Sequence, residues 1–128
     1  MRDYSNGRDL DFRIAKEIVR LDVIAGTFTY LESCYPQAVV REIPHYSSND
    51  AATEQLIATL RAAGWTVEAI AGGTLSQHGK LLKSGVGYFV EYPRRRSKKG
   101  HVVIAGDLCS AASAIMRAAD IANGHNHD

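Results

Sequence analysis

Apolar residues recur at Leu10, Ile14, Ile18 and Leu21, the stripe of an amphipathic helix, with Arg13, Lys16, Glu17 and Arg20 on its wet side. Asp9 is placed to cap this helix and Gly26 to stop it. Thr27–Leu31 is β-branched and aromatic, and Gln37–Ile43 resumes an extended pattern after Pro36, so both read as strands. Ser47-Ser48-Asn49-Asp50 then opens a second helix whose stripe is Ala52, Leu56, Leu60 and Ala63, closed by Gly64. Trp65, Val67, Ala69 and Ala71 alternate with Thr66, Glu68 and Ile70, which predicts a strand directly after the helix.

Glycine, serine and lysine make 72–85 a loop, and Gly87–Tyr92 a strand that Pro93 ends. A basic loop, Arg94 to Gly100, leads into a strand at His101–Ala105, so a hairpin joins the two. Gly106-Asp107 starts a last helix with Leu108, Ala112, Ile115, Ala119 and Ala122 on one face, closed by Gly124. Half-apolar strands need covering, and three amphipathic helices are available to do it. The predicted class is α+β: an antiparallel sheet with amphipathic helices packed on it, α-β-α sandwich-like.

At 128 residues the chain reads as a single domain over 1–128, with 125–128 a disordered tail. Hydrophobic residues at 45% and charged residues at 23% give a globular rather than disordered balance. No stretch approaches the ~20 apolar residues that span a bilayer, and Met1–Asp11 is too polar for a secretion signal. The expected address is cytoplasmic. Five of the fifteen positive side chains are Arg94, Arg95, Arg96, Lys98 and Lys99, so ten positives face fourteen negatives elsewhere. One basic loop on a mildly acidic body suits an acidic partner or a phosphate backbone, but a hairpin loop of this kind is also simply solvated.

Cys34 and Cys109 belong to no metal-ligand spacing and read as small buried thiols. No GxSxG, HExxH or phosphate-loop pattern occurs, and the glycines at 72, 73, 79, 85 and 87 lack a strand-to-helix setting. His45, His78 and His101 are scattered, and His125 and His127 lie in the tail. The expectation is a binding protein, not an enzyme, with no cofactor and no metal.

An ordered set of short patterns carries a resemblance. Asp11-Phe12-x-Ile14-Ala15-x-Glu17-Ile18-Val19 is followed by Ile43-Pro44-x-Tyr46-Ser47-x-x-x-Ala51-Ala52 and by Leu60-x-x-x-Gly64-Trp65-x-Val67. Tyr88-x-Val90-x-Tyr92 and Ala114-Ile115-x-Arg117-Ala118-Ala119 complete it. Together, over roughly Asp9 to Ala122, they resemble the phage α-β-α sandwich domain of small phage and prophage proteins. That group is similar to the anti-Thoeris "Tad" proteins, which sequester cyclic nucleotide immune signals such as cyclic ADP-ribose isomers and cyclic oligonucleotides. The resemblance implies a phage-encoded sponge in the host cytoplasm: a homo-oligomer that binds a cyclic nucleotide signalling molecule without cleaving it.

Such a ligand needs guanidinium for phosphate, rings for stacking and hydroxyls for base edges. Arg117 lies about 200° around the helix from Ile115, at ~100° per residue, with Ser113 one turn before it. The resemblance also favours an arginine there, although a solvated pair with Asp120 explains it equally. Phe89, Tyr88 and Tyr92 are the stacking candidates; Tyr88 and Tyr92 share one strand face and Phe89 the other, and one set is core. Tyr46, Ser47 and Ser48 precede a helix start that could hold an anion, but plain capping is the better reading. The alanines of the last helix suit a subunit interface or mere helix propensity. The competing readings are a nucleic-acid-binding module gripping phosphate through Arg94–Lys99, and a direct protein inhibitor of a host enzyme.

Overall fold

The computed structural model describes residues 3–34, 36–71, 86–93 and 101–123. The expected loop at 72–85, the basic residues Arg94, Arg95, Arg96, Lys98 and Lys99, and the tail at 125–128 lie outside the described residues.

Helix α1, Arg8–Arg13, continues directly as a π-helical segment, Ile14–Val19. Three short strands follow, β1 (Asp22–Val23), β2 (Thr29–Cys34) and β3 (Gln37–Glu42), paired antiparallel in that order. Helix α2 spans Asp50–Ala62, and β4 (Thr66–Ala71), β5 (Val86–Glu91) and β6 (His101–Ala105) form a second antiparallel sheet, again in chain order. Helix α3, Ser110–Ala122, comes last. The class is α+β, with two three-stranded sheets in place of the single sheet expected.

The helix ends depart from the sequence expectations in instructive ways. Asp9 does not cap α1; Gly7 precedes the helix and its carbonyl accepts the Asp11 N–H at 3.1 Å. Asp11 turns inward instead. Its carboxylate, with no exposed surface, accepts from the Arg8 guanidinium (2.8 Å) and the Ser47 N–H (2.9 Å). Arg8 also donates to the Ile43 carbonyl at 2.7 Å and stacks on Phe28, so α1 is clasped to the segment that precedes α2. The first helix stops at Arg20, well before Gly26, which sits in the turn between β1 and β2.

For α2 the cap is Asn49, whose side-chain oxygen accepts the Ala52 N–H at 2.9 Å. Ser47 is spent elsewhere, accepting the Gly7 N–H. The inward face is Thr53, Leu56, Ile57 and Leu60 rather than Ala52 and Ala63, because the bulkier side chains bury more apolar area. Gly64 takes φ +100 and lets the Trp65 N–H return to the Leu60 carbonyl at 3.0 Å, the expected glycine stop. Trp65, just before β4, and Val67 within it are buried, whereas Ala69 is exposed and Ile70, on the opposite face, is buried.

Val67 pairs with Val90 across β4 and β5, and both join a core with Leu56 and Leu60 of α2 and Ile115 and Met116 of α3. Helix α3 packs on β5 and β6 and also on α1 and the π-helical segment. It is buried almost all round: from Ala111 to Ala122 only Arg117 and Ile121 are exposed. Its alanines therefore serve internal close approach, in place of the subunit interface they suggested in sequence. No helix among the described residues is long and apolar enough to cross a membrane.

Candidate ligand-binding cleft

The π-helical segment ends on Arg20, at φ 64° and ψ 43°, the one non-glycine residue with positive φ among those described. A left-handed conformation costs an L-residue roughly 1–2 kcal/mol. The Leu21 N–H closes the turn on the Ala15 carbonyl at 2.8 Å, a wider loop than an ordinary helix stop makes. Widened turns and left-handed side chains persist where the surroundings hold them, and both gather at sites of function.

Lys16, Glu17, Ile18 and Arg20 from this irregular stretch form one wall of a cleft of about 440 Å³. Met116, Ala119 and Asp120 of α3 form the opposite wall, with Tyr92 and Asn123 completing the rim. That volume lies in the ~300–1,000 Å³ range of small-molecule sites. Tyr92 is held by Trp65, edge to face with centroids 4.8 Å apart. Asn123 is anchored through its amide to the Ala119 carbonyl at 2.9 Å. Asp120, 1% exposed overall, accepts the Tyr4 hydroxyl at 2.6 Å.

The residues singled out in sequence fall in different places. Tyr92 lines the cleft. Arg117 is exposed beside it, not on its wall, with its guanidinium 4.8 Å over the Tyr4 ring. Ser113, one turn earlier, is buried, so the two form no common exposed patch. Tyr88 is half-buried against the core on the Val90 face, and burial pushes its phenol up. Phe89, on the other face, is 2% exposed and has no surface to offer a ligand. Tyr46 and Ser47 are buried, Ser47 in the clasp on α1, while Ser48 is exposed. Cys109 is buried and its thiol is pushed up by burial and by donation to Asp50 at 3.2 Å.

Sequence reasoning placed Lys16, Glu17 and Arg20 on a solvated helix face and so missed the cleft. The one available signal was the absence of glycine or asparagine between Val19 and Asp22, where a helix stops. Among the described residues no group of three His, Cys, Asp or Glu side chains is arranged to hold a metal ion. No family model matches the chain, and comparison with curated proteins and with solved structures finds no significant similarity to it.

Proposed function

We propose that the chain captures a cyclic nucleotide signal in the cleft between the π-helical segment and α3 and holds it intact. The observation that carries this reading is the set of groups gathered there. Lys16 and Arg20 offer charge to phosphate, Glu17 and Asp120 accept from ribose hydroxyls, Tyr92 offers a ring face and Asn123 an amide edge. The cost of a left-handed arginine supports it further, since glycine would end the helix more cheaply. The sequence resemblance supplies the setting: a phage-encoded, homo-oligomeric sponge in the host cytoplasm that starves an immune effector of its messenger. Arg117 acts by holding Tyr4 against Asp120.

Incubation with a panel of cyclic ADP-ribose isomers and cyclic dinucleotides, then heat denaturation and recovery of the small molecule, tests the proposal. Intact ligand is the expected result; altered ligand, or none retained, refutes it. Arg20→Gly is expected to weaken capture at least tenfold while leaving Tm close to that of the parent. Relief of the left-handed strain, about 1–2 kcal/mol, offsets the roughly 0.5–1 kcal/mol of extra unfolded-state entropy that glycine brings.

A further inference from the structure

Strand β3 ends the first sheet: β2 pairs with one side of it, and no described strand pairs with the other. All six of its residues are exposed. An open edge of this kind is normally blunted by a lysine, a proline, a bulge or a covering element. Here the strand reads Gln-Ala-Val-Val-Arg-Glu, and its pairing with β2 runs from end to end without a bulge. Hydrogen bonding fixes which backbone groups face outward. The Ile43 N–H donates to the Phe28 carbonyl at 2.9 Å, which makes these two a bonded pair. Antiparallel pairs alternate, so Tyr30–Arg41 and Glu32–Val39 are bonded, while Thr29–Glu42, Leu31–Val40 and Ser33–Ala38 are not. Accordingly the Thr29 carbonyl serves the other side of β2, accepting the Ile24 N–H at 2.9 Å. Ala38, Val40 and Glu42 therefore turn their N–H and C=O groups to the open edge.

We propose that this edge pairs antiparallel with the same edge of a second copy of the chain, about a two-fold axis at Val40. In that register Val40 meets Val40 of the second copy, Ala38 meets Glu42, and Arg41 lies beside Val39, so every outward group is bonded and no like charges oppose. Sliding by one residue sets outward groups against inward ones. Sliding by two sets Arg41 against Arg41 and Pro44 against Ala38 in one direction, and Pro36 against Glu42 in the other, and neither proline has an N–H to give. The side chains agree with the backbone. Leu31 and Val40, 38% and 58% exposed, stand opposite each other on β2 and β3. Pairing joins them to their equivalents in one apolar row across both sheets, Leu31–Val40–Val40–Leu31. A six-residue edge is small beside the ~1,200–2,000 Å² of a standard interface, so monomer and dimer exchange with concentration. The pairing gives the proposed homo-oligomer a surface but uses no residue of the cleft, so the two readings fail separately.

Sedimentation equilibrium of the full chain, from about 1 μM to about 1 mM, tests the proposal and is expected to show monomer passing into dimer. Val40→Lys, which sets two like charges together on the axis, is expected to weaken dimerisation at least tenfold. Its Tm at high dilution is expected to match that of the parent, because Val40 is exposed in the single chain. Ile121→Lys, at an exposed position on α3, is expected to leave the dimer intact. In a sample mixing labelled and unlabelled chains, an isotope-filtered NOE is expected between the α protons of Val39 and Arg41 of different copies, the close non-bonded pair. Any one of four results overturns the pairing: a monomer at every concentration, undiminished dimerisation of Val40→Lys, loss of the dimer in Ile121→Lys, or a dimer without that NOE.

Discussion

Asp11 shows how a single side chain decides where a helix goes. Read in sequence, it is one more acid in a first turn; in the fold its carboxylate has no exposed surface and joins Arg8 to the Ser47 N–H. Removing one partner strands the others, so Asp11→Ala is expected to cost about 2–4 kcal/mol in urea unfolding, well above a surface substitution. Tyr46 carries a different signature. Its pKa rises from 10.0 to about 12 in the fold through burial, so between those values the unfolded chain releases a proton that the folded chain keeps. The stability held by neutral Tyr46 is complete below pH 10 and is lost at about 1.4 kcal/mol per pH unit as pH climbs toward the folded value. Comparing alkaline unfolding of the parent with Tyr46→Phe isolates this loss; identical curves would place the phenol in a solvated state.

At the scale of elements, legibility tracked how local the cause was. The unit from Asn49 to Val67 was plain in sequence because its cap, its glycine stop and its alternation all act within a few residues. The strands β2 and β3 were also legible, through β-branched and aromatic content on either side of Pro36, but their pairing into a hairpin was not read. The π-helical turn was not, since the stripe Leu10, Ile14, Ile18 and Leu21 fits a regular helix equally well, and the partner it packs on, α3, lies about a hundred residues away in sequence. The cleft went unread with it. Helix α3 begins at Ser110, later than the Gly106-Asp107 start read in sequence, with Asp107 in the preceding turn accepting from the Ser110 N–H and hydroxyl at 3.2 and 3.1 Å. Gly106 beside it takes φ +146, and a Cβ there would overlap the Ser110 Oγ. Gly106→Ala is therefore expected to destabilise by about 1–3 kcal/mol in thermal unfolding, with α3 fraying first in amide exchange.

For the molecule as a whole, α3 is the axis around which the rest is laid. Sheet strands β5 and β6 lie against it, and α1 with the π-helical segment packs there too, which only small side chains allow. Ala118 has no exposed surface, so Ala118→Leu has nowhere to expand and is expected to lose about 1–3 kcal/mol by urea unfolding, where an exposed alanine would lose almost nothing. The hydrogen bond from Tyr4 to Asp120 joins positions 116 apart in the chain. Closing so long a loop costs conformational entropy, though each doubling of its length adds only about 0.6 kcal/mol. Asp120 lines the cleft, so one wall of the cleft is tied to a contact between distant parts of the chain. Occupancy consequently rewards completion alone: a small molecule at a hundredfold excess over its Kd adds about 2.7 kcal/mol against global unfolding, and nothing to any intermediate whose ends remain apart.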